Sequence, residues 1–251
     1  MKAIIDWNDK KYEINFSKLH DLSIPMQSGD ANPNAFHIPS PRFEPIKVGD
    51  FVGSVAQGSG ANCENLMINA HGNGTHTECI GHITKERVSI NQSLKHFHYV
   101  AQVISLEPIQ LPNGDWAVPK DDVENRLEPN IQALIIRTLP NSSDKLTQFY
   151  SGNNPCYLLP ELTALLAEKQ IEHLLVDLPS VDREEDAGAM AAHKAFWCYP
   201  EKPRINATIS EMVFVENSIA DGIYFLNIQI ASLETDASPS KPVLYGMDCI
   251  G

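Results

Sequence analysis

The chain has 251 residues, 43% of them hydrophobic and 20% charged, enough apolar material for one sizeable core or two small ones. Its 32 acidic and 19 basic residues give a formal charge of −13, which repels phosphate backbones and anionic lipid at long range and argues against nucleic acid or membrane as a partner. The five cysteines (Cys63, Cys79, Cys156, Cys198 and Cys249) are odd in number and form no C-x-x-C pair, so neither a disulfide framework nor a zinc–thiolate knuckle is expected. With no leader-like start and no uncharged apolar run of about 18 residues, the expectation is a cytoplasmic protein.

Ala3 to Trp7 and Lys11 to Ile14 flank the turn-prone pair Asn8-Asp9, which predicts an opening hairpin. Ser23 to Pro45 carries Pro25, Pro33, Pro39, Pro41, Pro45 and Gly29, and reads as a long loop. Loops of such length tend to be functional. Short apolar runs at Phe51–Val55, Glu64–Ile68, Val100–Leu106 and Ala133–Thr138 predict strands. From Pro160 to Gln170, Leu162, Leu165 and Leu166 recur at helical spacing, and a buried-type strand follows at His173–Leu178. Strand, helix and strand in that order predict a right-handed crossover between parallel strands. Met212–Val215, Ile223–Ile230 and Val243–Met247 return to β character. The whole is an α/β fold, one domain over residues 1–251, with a mixed sheet and strands outnumbering helices.

The segment His71-Gly72-Asn73-Gly74-Thr75-His76-Thr77-Glu78-Cys79-Ile80-Gly81-His82 holds three of the nine histidines. If it is extended, His76 and Glu78 project to one face, where imidazole and carboxylate can converge on one cation. Gly72 and Gly74 permit the backbone to bring His71 back as a third ligand. His82 lies about 20 Å beyond His76 in an extended chain, so it joins the same cation only through a turn at Gly81; otherwise it has another role. Histidines on a solvated loop, or bonded to backbone, are the competing reading. Imidazole and carboxylate suit zinc, manganese and iron alike. Arg137, inside an apolar strand, is a candidate to orient an anion or to pair with a buried acid. No G-x-S-x-G elbow, Walker loop or dinucleotide glycine pattern occurs.

The segment resembles the H-x-G-T-H-x-D-x-P-x-H signature of the cyclase family, which includes bacterial kynurenine formamidase and isatin hydrolase. Gly74, Thr75, His76 and His82 match in type and spacing; Glu78 replaces the aspartate, Ile80 replaces the proline, and one extra residue separates His71 from Gly74. Asp21-Leu22-Ser23-Ile24-Pro25, Ile135-Ile136-Arg137-Thr138, Asp177-Leu178-Pro179-Ser180-Val181-Asp182 and Ser238-Pro239-Ser240-Lys241-Pro242 are similar to further family segments. The likeness therefore covers essentially the whole chain.

The resemblance implies a swivelling β/β/α-type, partly barrel-like sheet with few helices. It implies His71, His76, Glu78, His193 and Glu216 as metal ligands for one or two divalent ions, zinc or manganese, with His82 as the acid/base residue. It also implies a homodimer acting on a small molecule that contains an amide or cyclic amide. A cation so held lowers the pKa of its water toward about 7, which suits hydrolysis. The alternatives are a binding protein that has lost turnover and a metal-dependent lyase or isomerase on the same scaffold.

Overall fold

A computed structural model describes residues Met1–Gly251. Strands β1 (Lys2–Trp7) and β2 (Lys10–Asp21) form the expected hairpin. Its turn residues Asn8 and Asp9 have φ of 49° and 60°. This is the left-handed pair that a two-residue turn requires, on side chains that tolerate it. β2 continues well past Ile14 because its second half also pairs with the C-terminal strand.

Seven further strands are β3 (His76–Cys79), β4 (His98–Leu106), β5 (Ala133–Thr138), β6 (His173–Val176), β7 (Thr208–Glu211), β8 (Gly222–Ile230) and β9 (Ala237–Cys249). They lie in the order β1-β2-β9-β8-β4-β5-β6-β7-β3, and β3 also pairs with the start of β9. That last pairing closes β3 to β9 into a barrel-like ring, with the hairpin attached outside through β9. β4, β5, β6 and β7 run parallel and the remaining pairings are antiparallel, so the sheet is mixed as expected.

The helices are few: α1 (Ile90–Ser93), α2 (Asp121–Glu124), α3 (Pro160–Glu168) and α4 (Ala191–Trp197). α3 is the predicted crossover helix between β5 and β6, opened by Pro160 at its first turn. It buries Leu162, Leu165 and Leu166 and exposes Glu161 and Glu168. No helix is long and apolar enough to cross a membrane.

Strand alternation divides the core. On β5, Leu134 and Ile136 join Leu162, Leu166, Phe196 and Trp197 in a layer between sheet and helices. Ala133 and Ile135 turn inward to Leu22, Val103, Leu175, Leu226 and Leu244, which fill the ring. Burying a large aliphatic side chain contributes roughly 1.5–3 kcal/mol, so a one-residue slip of β5 would forfeit both layers at once.

Three segments differ from expectation. Only Phe51–Val52 of Phe51–Val55 is strand, because Gly53 passes so close to Cys63 that a Cβ there would lie 2.4 Å from the Cys63 carbonyl oxygen, and the chain then turns at Val55–Gln57. Met212–Val215 is not ladder; the strand is β7 immediately before it, and Met212, at φ 50°, breaks it. Met212, Val213 and Val215 are nonetheless buried, and the amides of Met212, Val213 and Phe214 donate to carbonyls of Leu178, Val176 and Leu22. The long loop ends early too: Arg42–Pro45 pairs with Glu64–Met67 as a two-stranded arm apart from the main sheet.

Candidate metal centre

β3 is extended, as the i, i+2 argument requires, and sits between β7 and β9 with all four residues buried. Cys79 faces the interior of the ring and Thr77, on the same side, bonds Ser210. His76 and Glu78 face the other way, toward the helix layer. On β7, Ile209 lies in that same layer, and Glu211 follows it at i+2, directly opposite His76 in the ladder. The pairing of two short strands thus places an imidazole and two carboxylates on one face.

α4 covers this face. Its first turn is held by Asp182, whose carboxylate accepts the Ala192 amide at 2.7 Å and the His193 amide at 3.1 Å. The same carboxylate takes His193 Nδ1 at 2.5 Å, which leaves Nε2 pointing at Glu78 Oε1, 3.0 Å away, and Glu211 Oε1, 3.8 Å away. His193, which its sequence neighbours alone would put on a helix surface, is 1% exposed.

His71 reaches the centre from a compact turn. Asn69 accepts the Gly72 amide with its side chain, and the Asn73 side chain accepts the Asn69 amide in turn. Gly72 packs so closely on Ile38 that an added Cβ would stand 2.5 Å from Ile38 Cγ1. The extra residue is absorbed in this turn, and His71 Nδ1 lies 3.1 Å from Glu78 Oε2. His82 ends a single 3-10 turn, Ile80–His82, at whose centre only glycine fits: a Cβ on Gly81 would be 2.1 Å from the Val88 carbonyl oxygen. The turn stacks the His82 ring on His71 at 4.3 Å, with His82 Nδ1 3.8 Å from Glu78 Oε2 and 3.3 Å from Asp236 Oδ2.

The protonation pattern follows from these contacts. His76 Nδ1 lies 3.0 Å from the Gly74 carbonyl, which can only accept, so the lone pair of the neutral ring is on Nε2. That atom is fully buried, 3.4 Å from Glu211 Oε2, and makes no hydrogen bond. Burial alone would raise the Glu78 carboxyl, but the charges of His82 and His193 and hydrogen bonds from His193 and His71 hold it well below the usual range. Burial would likewise depress His71 and His193; for His71 the bonds to Asp236 and Glu78, and for His193 the Glu78 charge and the Asp182 bond, outweigh it and raise each to about 10. Protons therefore occupy the place that a cation would take between these groups. Among the combinations whose ligand atoms all lie within 4.8 Å of one another are His71–His76–Glu78, Glu78–His82–His193 and His71–His82–Asp236.

His71, His76, Glu78, His82 and His193 of the sequence reading are thus brought together. Glu216 is not: it is exposed, its carboxylate accepts only from the Ser218 hydroxyl at 3.2 Å, and its backbone carbonyl accepts from Arg137. Glu211 stands where Glu216 was expected, because the strand carrying the acid ends at Glu211. The signal was present in Thr208-Ile209-Ser210-Glu211, where alternation puts the acid on the face of Ile209. Asp236 was also missed; only the turn-like Thr235-Asp236 before Ser238-Pro239 marks it. Arg137 binds Ser105, Asp221 and the carbonyls of Glu216 and Ile219, and so pins a loop away from the centre.

A ring of mixed strands that gathers four imidazoles and at least two buried carboxylates under one short helix defines a class of histidine–carboxylate centre. Residues 20–183 match the Cyclase family model, and the chain belongs to that family. Over 193 residues it is 25% identical to a kynurenine formamidase of Bacillus cereus, covering 76% of this chain and 83% of that one. The fold is shared with a predicted metal-dependent hydrolase from Bacillus stearothermophilus (TM-score 0.65, 18% identity, 91% of this chain and 98% of that one). It is also shared with an isatin hydrolase A from Ralstonia solanacearum (TM-score 0.65, 15% identity, 91% of each).

Proposed function

We propose that the protein is a metal-dependent hydrolase that cleaves an amide or cyclic amide C–N bond of a small molecule. The observation that carries this reading is His76 Nε2: a buried lone pair without a partner, aimed with two more imidazoles at the carboxylates of Glu78 and Glu211. An uncompensated buried acceptor costs about 1–3 kcal/mol, and a divalent cation relieves it. His71, His76, Glu78, His193 and Glu211 would hold zinc or manganese; nitrogen and oxygen donors without thiolate suit either. Glu78 offers Oε1 toward His193 and Oε2 toward His71, so its two oxygens are both available to the donor set that would hold one or two ions.

When bound, the cation supplies Lewis acidity and water activation near neutral pH. The chain's own residues do the rest. His71 and His82 are the partly exposed members, at 22% and 27%, while His76, Glu78, His193 and Glu211 are buried; the substrate therefore enters on the His71–His82 side. His82 is placed to move a proton to the leaving nitrogen. Relatives named kynurenine formamidase and isatin hydrolase support an amide or lactam substrate. Purified protein loaded with zinc or manganese and offered formanilides, lactams and lactones tests the reading: turnover of formamides or lactams supports it. Stoichiometric metal with no hydrolysis of any of them would instead favour a binding protein that keeps the scaffold.

We propose further that the protein is a two-fold dimer in the cytoplasm. Val48, Phe51, Val55, Leu66 and Met67 are exposed on or beside the arm, a concentration of apolar surface that association would cover. Sedimentation at micromolar concentration should give twice the chain mass, and a monomer there would remove the claim.

A further inference from the structure

Asp236 immediately precedes β9 and is tied to the end of β3 by a hydrogen bond from the Cys79 amide to its carbonyl, at 2.9 Å. Next in sequence, Ala237 pairs with Glu78 across the two strands. The ring closure therefore delivers a third acid to the rim of the centre. Its Oδ2 meets two imidazoles, His71 Nε2 at 2.9 Å and His82 Nδ1 at 3.3 Å. The Gly81 turn makes this approach feasible, since a Cβ there would stand 3.3 Å from Asp236 Cβ as well as colliding with Val88.

We propose that Asp236 is the positioning residue of this site, one carboxylate oxygen that sets the ring orientation and tautomer of both His71 and His82. An imidazole that donates one N–H to a carboxylate presents its other nitrogen as a lone pair in a fixed direction. For His71 the nitrogen so presented is Nδ1, the one beside Glu78. For His82 it is Nε2, the nitrogen left for proton transfer. His193 shows the same device with Asp182, and His76 with the Gly74 carbonyl, so Asp236 completes a set in which each imidazole is anchored through its second nitrogen. The turn at Asn69–Asn73 absorbs the inserted residue before Gly74, and Asp236 fixes the ring that this turn brings to the centre.

This inference rests on the metal-site reading, and the experiment separates the two. Zinc affinity of the full chain is measured by chelator competition for wild type, Asp236→Ala, Asp236→Asn and His71→Ala, and histidine tautomers are read from long-range 15N–1H spectra of the zinc-loaded protein. The expected result is a loss of zinc affinity of about 10–100-fold in Asp236→Ala, as for other residues that orient a ligand, with a smaller loss in Asp236→Asn, whose side-chain oxygen still accepts. His82 should carry its proton on Nδ1 in wild type and lose that preference in Asp236→Ala. Affinity and His82 tautomer both unchanged in Asp236→Ala would overturn the assignment while leaving the metal centre intact. A loss in Asp236→Asn as large as in His71→Ala would overturn it in favour of direct ligation. Wild-type protein that binds no zinc would overturn the metal reading and this inference with it.

Discussion

Replacing Glu211 by glutamine removes a charge from the proposed centre while keeping the rest of its surroundings. Glu211 is buried, its Oε2 is 3.4 Å from His76 Nε2, and its Oε1 accepts the Val181 amide at 2.9 Å. Glutamine retains the volume and an acceptor for Val181, so the metal-free protein should change little. A cation present at about 1,000 times its dissociation constant stabilises the fold by about 4 kcal/mol; weakening it about 100-fold leaves about 1.4 kcal/mol. The unfolding entropy of a 251-residue chain is about 0.5 kcal/mol per kelvin, so the difference lowers the midpoint by about 5 °C. Glu216→Gln, at an exposed position, should stay within about 0.5 kcal/mol, or about 1 °C. Elemental analysis and thermal melting with and without zinc read both variants. Full metal content and an unshifted midpoint in Glu211→Gln, or an equal loss in Glu216→Gln, would refute the placement of the ligand set.

His76→Ala should lose metal and melting temperature together, whereas His82→Ala should keep its metal and lose turnover by about 10² to 10⁴; equal metal loss in both would make His82 a ligand. Lys145 Nζ lies 2.7 Å from the fully buried Asp177 carboxylate, whose own pKa burial pushes up. Lys145→Met should therefore cost about 3–5 kcal/mol in denaturant unfolding, and adding Asp177→Asn should recover most of it; no recovery would mean that the lysine acts by packing instead. His173, buried with Nδ1 2.8 Å from Thr208, is pushed down to about 3 by burial and the Arg204 charge. Its folded pKa lies below the unfolded value of about 6.5. The neutral ring therefore contributes full stability above pH 6.5, and that stability is lost as pH falls. Between pH 7 and 5 the loss is about 2 kcal/mol, and His173→Gln should abolish that part of the slope in urea titrations at the two pH values.

The elements that were legible in the sequence are those whose apolar pattern also sets their pairing. β5 appears at Ala133–Thr138 as expected, and the Asn8-Asp9 turn and the α3 crossover likewise need only local chemistry. The family likeness implied a barrel-like sheet, and the ring bears it out, but the residues by themselves did not announce the closure: it depends on β3 pairing with both β7 and β9, and His76–Cys79 has no apolar alternation to mark a strand. The same non-local pairing explains the site. His76 and Glu78 could be read from their i, i+2 spacing alone. Glu211 reaches them across a ladder, and Asp236 from just ahead of one, between strands far apart in sequence. The resemblance implied Glu216, the acid that follows the apolar run Met212–Val215, but that run makes only an isolated bridge from Val213 to Ser23 and the ladder ends at Glu211. The family likeness located His193, whereas the Asp182 contact that turns it inward belongs to α4 and becomes visible only once the helix is in place.

Above all, these histidines and acids are proposed to hold a cation that the chemistry needs. The most direct test is elemental analysis of the purified chain alongside formamide hydrolysis before and after chelation and metal restoration. About one to two equivalents of zinc or manganese per chain are expected, with activity lost on chelation and recovered with metal. Metal below about 0.2 equivalents after expression in several supplemented media, or hydrolysis that survives complete chelation, would contradict it.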